Sequence, residues 1–139
     1  MAQLPAEIRS LIVAEQAKQN GHFIEGVDLD EYMAKLADKA ELLTDSLGAR
    51  VRGVVAYYCN DEAAGCAYIS LVLVDPSARR QGLASVLVRC VMDIARRRGF
   101  ASCRLEVGAE NEAAYAAYRQ LGFRYVEVRG HKHLLEATL

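Results

Sequence analysis

The sequence predicts a single α/β domain in which a mixed sheet carries helices on both faces. Three observations carry that prediction. Hydrophobic periodicity switches between helical and strand types in the order helix, helix, three strands, helix, strand, helix, two strands. An apolar strand, a helix and a second strand follow one another through residues 67–107, which implies a right-handed parallel crossover. The 139 residues hold two prolines, no repeat and no low-complexity stretch, so no linker divides the chain.

Each element has its own signal. "LPAEIRSLIVAEQAKQNG" sets Ile8, Leu11, Ile12 and Glu15 at helical spacing, with Pro5 near its start and Gly21 past its end. "DLDEYMAKLADKAE" predicts a second helix, capped by Asp28 or Asp30, with Tyr32, Met33, Leu36 and Ala40 on one face. "ELLTDSL" reads as a short strand that turns at Gly48, and "RVRGVVAYYC" is rich in β-forming residues. "NDEAAG" is a polar hairpin loop, and "CAYISLVLV" is apolar enough for a strand covered on both faces. From Gly82, the residues Leu83, Val86, Leu87, Cys90, Val91 and Ile94 recur at threes and fours, a helix ending at "RRRG". "SCRLEV" is a strand, and "NEAAYAAYRQLG" is a helix that begins at or just before Asn111 and closes at Gly122. "FRYVEVR" and "HKHLLEAT" are two last strands around Gly130; His131 and His133 then share a face of the second.

Composition narrows the function. A formal net charge of −1 gives no global drive toward nucleic acid or anionic membrane, so any anion site is local and neither is an expected partner. No apolar run approaches the ~20 residues of a membrane span, and Pro5, Glu7 and Arg9 interrupt any signal-peptide pattern. A cytoplasmic location is expected. Cys59, Cys66, Cys90 and Cys103 form no C-x-x-C pair, and no Cys/His cluster has zinc spacing, so no metal is expected. They read as small apolar residues in a reducing compartment, with Cys59 and Cys66 flanking a hairpin.

The stretch "DPSARRQGLASVLV" carries the chemistry. Asp75-Pro76 breaks a covered strand, and a basic loop feeds a helix near Gly82. A helix N-terminus has free N–H groups and partial positive charge, glycine lets a ligand approach the backbone, and arginines add charge. Gly82 stands alone, without the G-K-[ST] or G-x-G-x-x-G of other phosphate loops. Taken alone, the stretch fits a solvated basic turn equally well.

Its neighbours break the tie. "VLVDPSARRQGLA" resembles the acetyl-CoA-binding motif of the GNAT N-acetyltransferase superfamily, R/Q-x-x-G-x-G/A, on Arg79, Arg80, Gln81, Gly82, Leu83 and Ala84. "LEVGAENEAAYAAYRQLGF" is similar to the family's second signature, with Asn111, then Tyr118 seven residues on, then Leu121, Gly122 and Phe123. The resemblance covers roughly residues 42–139. It implies a mostly antiparallel sheet with a central parallel strand pair that splays apart. Its usual first strand is here either missing or very short.

The resemblance also implies acetyl-CoA as co-substrate and an amine acceptor that attacks directly. By resemblance, the pyrophosphate sits on the N–H groups of residues 79–84, with Arg79 or Arg80 nearby. The pantetheine arm pairs with Val72, Leu73 and Val74, and the Val74 N–H faces the thioester oxygen. Asn111 holds the pantetheine, caps its helix, or does both. Tyr118 is the candidate general acid for the departing thiolate, with Tyr115 as a packing control. Glu106 is the candidate general base or a bystander; Tyr68 and Ser70 are the only polar groups on the strand before the loop.

The acceptor is expected to be a primary amine of a small molecule: an amino sugar, amino acid or polyamine. The acidic stretch Glu25, Asp28, Asp30 and Glu31 either attracts such a cation or serves helix capping. Two alternatives stand beside this: a non-catalytic acyl-CoA-binding module, and a protein N-terminal or lysine acetyltransferase. A homodimer is left open.

Overall fold

The structure is a computed structural model that describes residues 3–59 and 63–139. Its elements are α1 (Ala6–Lys18), α2 (Leu29–Lys39), β1 (Glu41–Leu47), β2 (Arg50–Tyr58), β3 (Cys66–Val74), a 3-10 turn (Pro76–Ala78), α3 (Leu83–Arg97), β4 (Ser102–Gly108), α4 (Glu112–Gln120), β5 (Arg124–Arg129) and β6 (Lys132–Thr138). Their order is the one the periodicity predicts. Among the described residues no strand precedes α1. Asn60, Asp61 and Glu62 of the expected hairpin loop lie outside the described residues.

Six strands form one sheet in the order β1-β2-β3-β4-β6-β5. Every neighbouring pair is antiparallel except β3 and β4, which the α3 crossover makes parallel. Each face of the sheet buries its own core. On one face, Ile8 and Ile12 of α1 and Met33 and Leu36 of α2 pack on Val54, Ala56, Leu71 and Leu73. On the other, Leu87, Val88 and Val91 of α3 and Tyr118 of α4 pack on Val55, Ile69, Leu105, Leu135 and the fully buried Phe123.

The membership of these cores exposes an irregularity in β3. Ile69 and Leu71 are two residues apart and should share a face, yet they sit in opposite cores. The register explains it. Tyr57 pairs with Ile69 and the preceding Ala56 pairs with Leu71, so Ser70 is an extra residue, a β-bulge. The parallel pairing with β4 stops at the same place. Only Cys66–Ile69 pair with Ser102–Leu105, after which β3 continues on β2 and β4 continues on β6. The Tyr32 hydroxyl of α2 donates to the Ser70 carbonyl at 3.2 Å and lies 3.0 Å from Ser70 Oγ, which pins the bulge.

Two expectations are corrected. The buried stripe of α3 is Leu87, Val88, Val91, Met92 and Ala95, whereas Val86 is 55% exposed and Cys90 is exposed. This helix is apolar around much of its girth, so spacing alone admits two overlapping stripes. Nor do the two late histidines share a strand. His131 lies in the turn before β6, and His133 lies within β6, where Tyr125 meets it edge-on at 5.3 Å. β5 itself is an edge strand, exposed at every residue.

Gly122 ends α4 with φ +107°, a backbone state that turns the chain inward and seats Phe123 in the core. The Phe123 ring meets Tyr118 at 6.0 Å in an edge-on arrangement. Phe123→Ala is expected to cost about 3–5 kcal/mol, the range for emptying a fully buried phenyl site. Urea unfolding followed by circular dichroism will show it; a loss under about 1 kcal/mol would contradict this packing.

Candidate active site

Where β3 and β4 part, a cleft of about 890 Å³ opens. Ser70, Leu71 and Val72 line one wall; Glu106, Val107 and Gly108 line the other. Asn111, Ala114 and Tyr118 close one end, and residues 22–25 and 130–132 flank the mouth.

The β3 wall presents free backbone. The Asp75 amide donates to the Arg52 carbonyl at 2.7 Å, toward β2. Strand alternation then turns the amides and carbonyls of Val74 and Val72 the opposite way, to the edge that β4 has left. Leu73 faces β2 and is buried in the core beneath α1 and α2.

Beyond Val74, the chain builds the loop that the arginines and Gly82 predicted. Asp75 caps the short turn by accepting from the Ser77 amide at 3.1 Å, and it pairs with Arg50 at 2.9 Å. Arg80 takes φ +65° and Gly82 φ +75°, and a Cβ at Gly82 would meet nothing within 4 Å. The first α3 bond runs from the Val86 amide to the Gly82 carbonyl at 3.1 Å. In consequence the six amides from Arg80 to Ser85, across Gln81, Gly82, Leu83 and Ala84, have no hydrogen-bond partner among the described residues. The loop lies outside the cleft's lining, past the far end of the free β3 edge.

The two arginines of the loop differ. The Arg79 Nε donates to the Val74 carbonyl at 3.1 Å, and its Nη2 donates to Glu15 Oε1 of α1 at 2.6 Å. Arg80 has no hydrogen bond or ion pair among the described residues. Glu15 is the buried charge of the α1 stripe, and Gln19 Nε2 donates to its other oxygen at 2.6 Å. Burial pushes its carboxyl upward, but the bonds from Gln19 and Arg79 and the Arg79 charge together hold it below the usual range. Sequence reasoning placed Glu15 in the apolar stripe without a role. A carboxylate there was the available signal, because a buried charge requires a partner.

The other predicted residues converge on the cleft. Tyr118 is nearly buried, and its phenol, pushed up to about 12 by burial, has no hydrogen-bond partner among the described residues. Glu106 Oε1 accepts from the Tyr68 hydroxyl at 3.2 Å. Burial, and then the neighbouring carboxylate, raise the Tyr68 phenol well above its usual value. The Asn111 side chain caps α4, accepting from the Ala114 amide at 3.2 Å, while the residue also lines the cleft. Tyr115 is not part of the lining; its ring lies under the Arg119 guanidinium at 5.8 Å.

Gln16 shapes the cleft mouth. It bonds both the amide and the carbonyl of Ile24 at 2.8 and 2.9 Å, and the Gly21 carbonyl at 3.3 Å. Lys132 Nζ reaches across to the Phe23 carbonyl at 3.4 Å. Of the acidic stretch, Glu25 alone lines the cleft. Asp28 caps α2 and Asp30 pairs with Arg9 at 3.1 Å. All four cysteines are free, and among the described residues no group of three His, Cys, Asp or Glu is placed to hold a metal ion. Among the described residues no helix is long and apolar enough to cross a membrane.

Comparison with known proteins meets this geometry. Residues 8–123 match the family model described as the acetyltransferase (GNAT) family. Over 58 residues the chain is 43% identical to the [ribosomal protein bS18]-alanine N-acetyltransferase of Escherichia coli, a match that spans 42% of this chain and 39% of that relative. The solved Escherichia coli ribosomal-protein-S18-alanine N-acetyltransferase superposes with TM-score 0.73 at 22% identity, over 99% of this chain and 91% of that one. A paiA N-acetyltransferase of Thermoplasma acidophilum, solved with coenzyme A, superposes with TM-score 0.66 at 16% identity, over 98% and 80%. At these identities the two structural likenesses show the fold.

The lowered Glu15 carboxyl has a consequence for stability. Folding lowers its pKa, so the folded state binds fewer protons than the unfolded chain. Its contribution is complete above the ordinary glutamate range, near pH 4.3, and is lost as pH falls through the lowered value. Urea unfolding between about pH 6 and pH 3 is expected to show that loss, and a Glu15→Gln chain to show a shallower one. Equal acid sensitivity in both would refute the assignment.

Proposed function

The chain belongs to the acetyltransferase (GNAT) family, and on that footing we propose that it transfers an acetyl group from acetyl-CoA to a primary amine of a small molecule. The observation that carries this reading is the run of six amides, Arg80–Ser85, that have no hydrogen-bond partner among the described residues and lie beside a free strand edge. Consecutive free N–H groups at the positive end of a fifteen-residue helix suit a pyrophosphate. The open backbone of Val72 and Val74 suits the amides of a pantetheine arm. Coenzyme A has both chemistries in that order.

Acetyl-CoA supplies the acetyl group as a thioester. The amides of Arg80–Ser85 hold the pyrophosphate, and Arg80 is the uncommitted charge beside it. The Val74 amide, next to the loop, meets the pantetheine arm, and the Val72 amide, in the cleft lining, donates toward the thioester oxygen and draws electron density from its carbon. Glu106 faces the other wall, oriented by the Tyr68 hydroxyl, and takes the proton that the amine loses on attack, directly or through water. Tyr118 donates to the departing sulfur. A pKa of about 12 keeps that proton on oxygen at any physiological pH, so the donor is always loaded.

The carboxylates of Glu25, Glu106 and Glu110 line the cleft against one lysine, Lys132, which favours a cationic acceptor. A second reading has a specific observation behind it. The 43% match is to an enzyme named for acetylating an alanine of ribosomal protein bS18, which supports a protein α-amine as acceptor.

A thiol-release screen over small primary amines and short peptides, each with acetyl-CoA, tests both readings. At least one amine should release thiol, and coenzyme A should raise the melting temperature. Tyr118→Phe should lower kcat by about 100-fold or more with coenzyme A affinity held within about twofold. Thermal stabilisation by coenzyme A without thiol release from any amine would make the protein a binding module instead.

A further inference from the structure

We infer that two adjacent residues of α1, Glu15 and Gln16, divide the positioning of the two substrates between them. Glu15 sets the donor loop and Gln16 sets the acceptor wall. This inference rests on the reading above, in which coenzyme A lies on Arg80–Ser85 and the acceptor enters the cleft.

Neighbouring residues on a helix point about 100° apart, so the pair faces two directions from one place. Glu15 faces the sheet, 8% exposed, and takes Arg79 Nη2 at 2.6 Å. Through the same guanidinium, the Nε bond at 3.1 Å ties down the Val74 carbonyl. Arg79 therefore ties together both ends of residues 74–79, the connection between the free strand edge and the amide run, and Glu15 holds the guanidinium that does so. Arg79 is thus a strut within the protein rather than a phosphate ligand, which explains why a motif with two adjacent arginines leaves only Arg80 uncommitted.

Gln16 faces the loop between α1 and α2. Its single carboxamide satisfies both backbone groups of Ile24 and the carbonyl of Gly21. The segment so held includes Phe23 and Glu25, which line the cleft mouth, and Lys132 closes onto the Phe23 carbonyl from β6. Neither Glu15 nor Gln16 lines the cleft, so each acts through what it holds. Both are positioning residues.

The test separates the two arms. In the full chain, Glu15→Gln is expected to raise the calorimetric Kd for coenzyme A by about five- to tenfold. Arg79→Gln should do the same, and in the double variant the two effects should not add. Amide hydrogen exchange should quicken at Ala78 and Val86, the hydrogen-bonded amides on either side of the free run, and stay unchanged at 21–25. Gln16→Ala should do the reverse. Exchange should quicken at 21–25, the KM for the fastest amine of the screen should rise about five- to tenfold, and the coenzyme A Kd should stay within about twofold.

Three results would overturn the division. The first is both variants moving both substrates equally, as general destabilisation would. The second is neither variant moving either substrate. The third is Glu15→Gln tightening coenzyme A, which would mean that Glu15 withholds Arg79 from phosphate. A wild-type chain that binds no coenzyme A would be a different failure, that of the functional reading itself.

Discussion

The parting of β3 from β4 is the constraint on which the rest depends. Two parallel strands pair for four residues and then separate at the point where β3 carries a single extra residue, Ser70. Backbone groups left unpaired inside a protein are costly unless something satisfies them. Among the described residues the Val72 and Val74 edge is left open, with the Val74 carbonyl capped by Arg79. A peptide-like ligand would complete the sheet. The same bulge reverses the alternation of β3, so that one strand supplies Ala67 and Ile69 to the core under α3 and Leu71 and Leu73 to the core under α1 and α2. Opening the cleft and closing both cores are one event.

The helices then divide the labour around that opening. α3 offers its N-terminal amides, α4 brings Tyr118 to the cleft on the rigid packing of Phe123, and α2 pins the bulge with Tyr32. α1 itself lines no part of the cleft, though Gln19 just past its end does, and the helix reaches both the loop at Arg79 and the segment at Gly21–Ile24. A helix in this place serves as common reference for two loops that are distant in sequence.

What was legible in the sequence was what is local. The order of elements followed from periodicity. The Gly82 turn followed from the missing Cβ, and the Asn111 cap from the short side chain before an alanine-rich helix. Glu106, Asn111, Tyr118 and Val72 line one cleft, while the loop from Arg80 to Ser85 lies outside that lining. What was not legible depends on pairs. The bulge at Ser70 is a property of register between two strands, and no residue in "CAYISLVLV" announces it. The Glu15–Arg79 contact joins residues 64 apart in sequence. The α3 stripe was misplaced because its apolar residues exceed what one face needs, and the sheet rather than the spacing selects among them.

β5 has one more consequence, for behaviour at high concentration. This outermost strand exposes Tyr125, Val126 and Val128, a short apolar run whose outer hydrogen-bonding edge is free. Such an edge invites a second molecule to add its own strand. Here the run is bracketed by Arg124 and Arg129. If two copies aligned these six residues antiparallel in full overlap, each Arg124 would stand opposite the other's Arg129, and like charges would meet at both ends. The strand carries its own deterrent against colloidal growth, written into the charge symmetry of "RYVEVR".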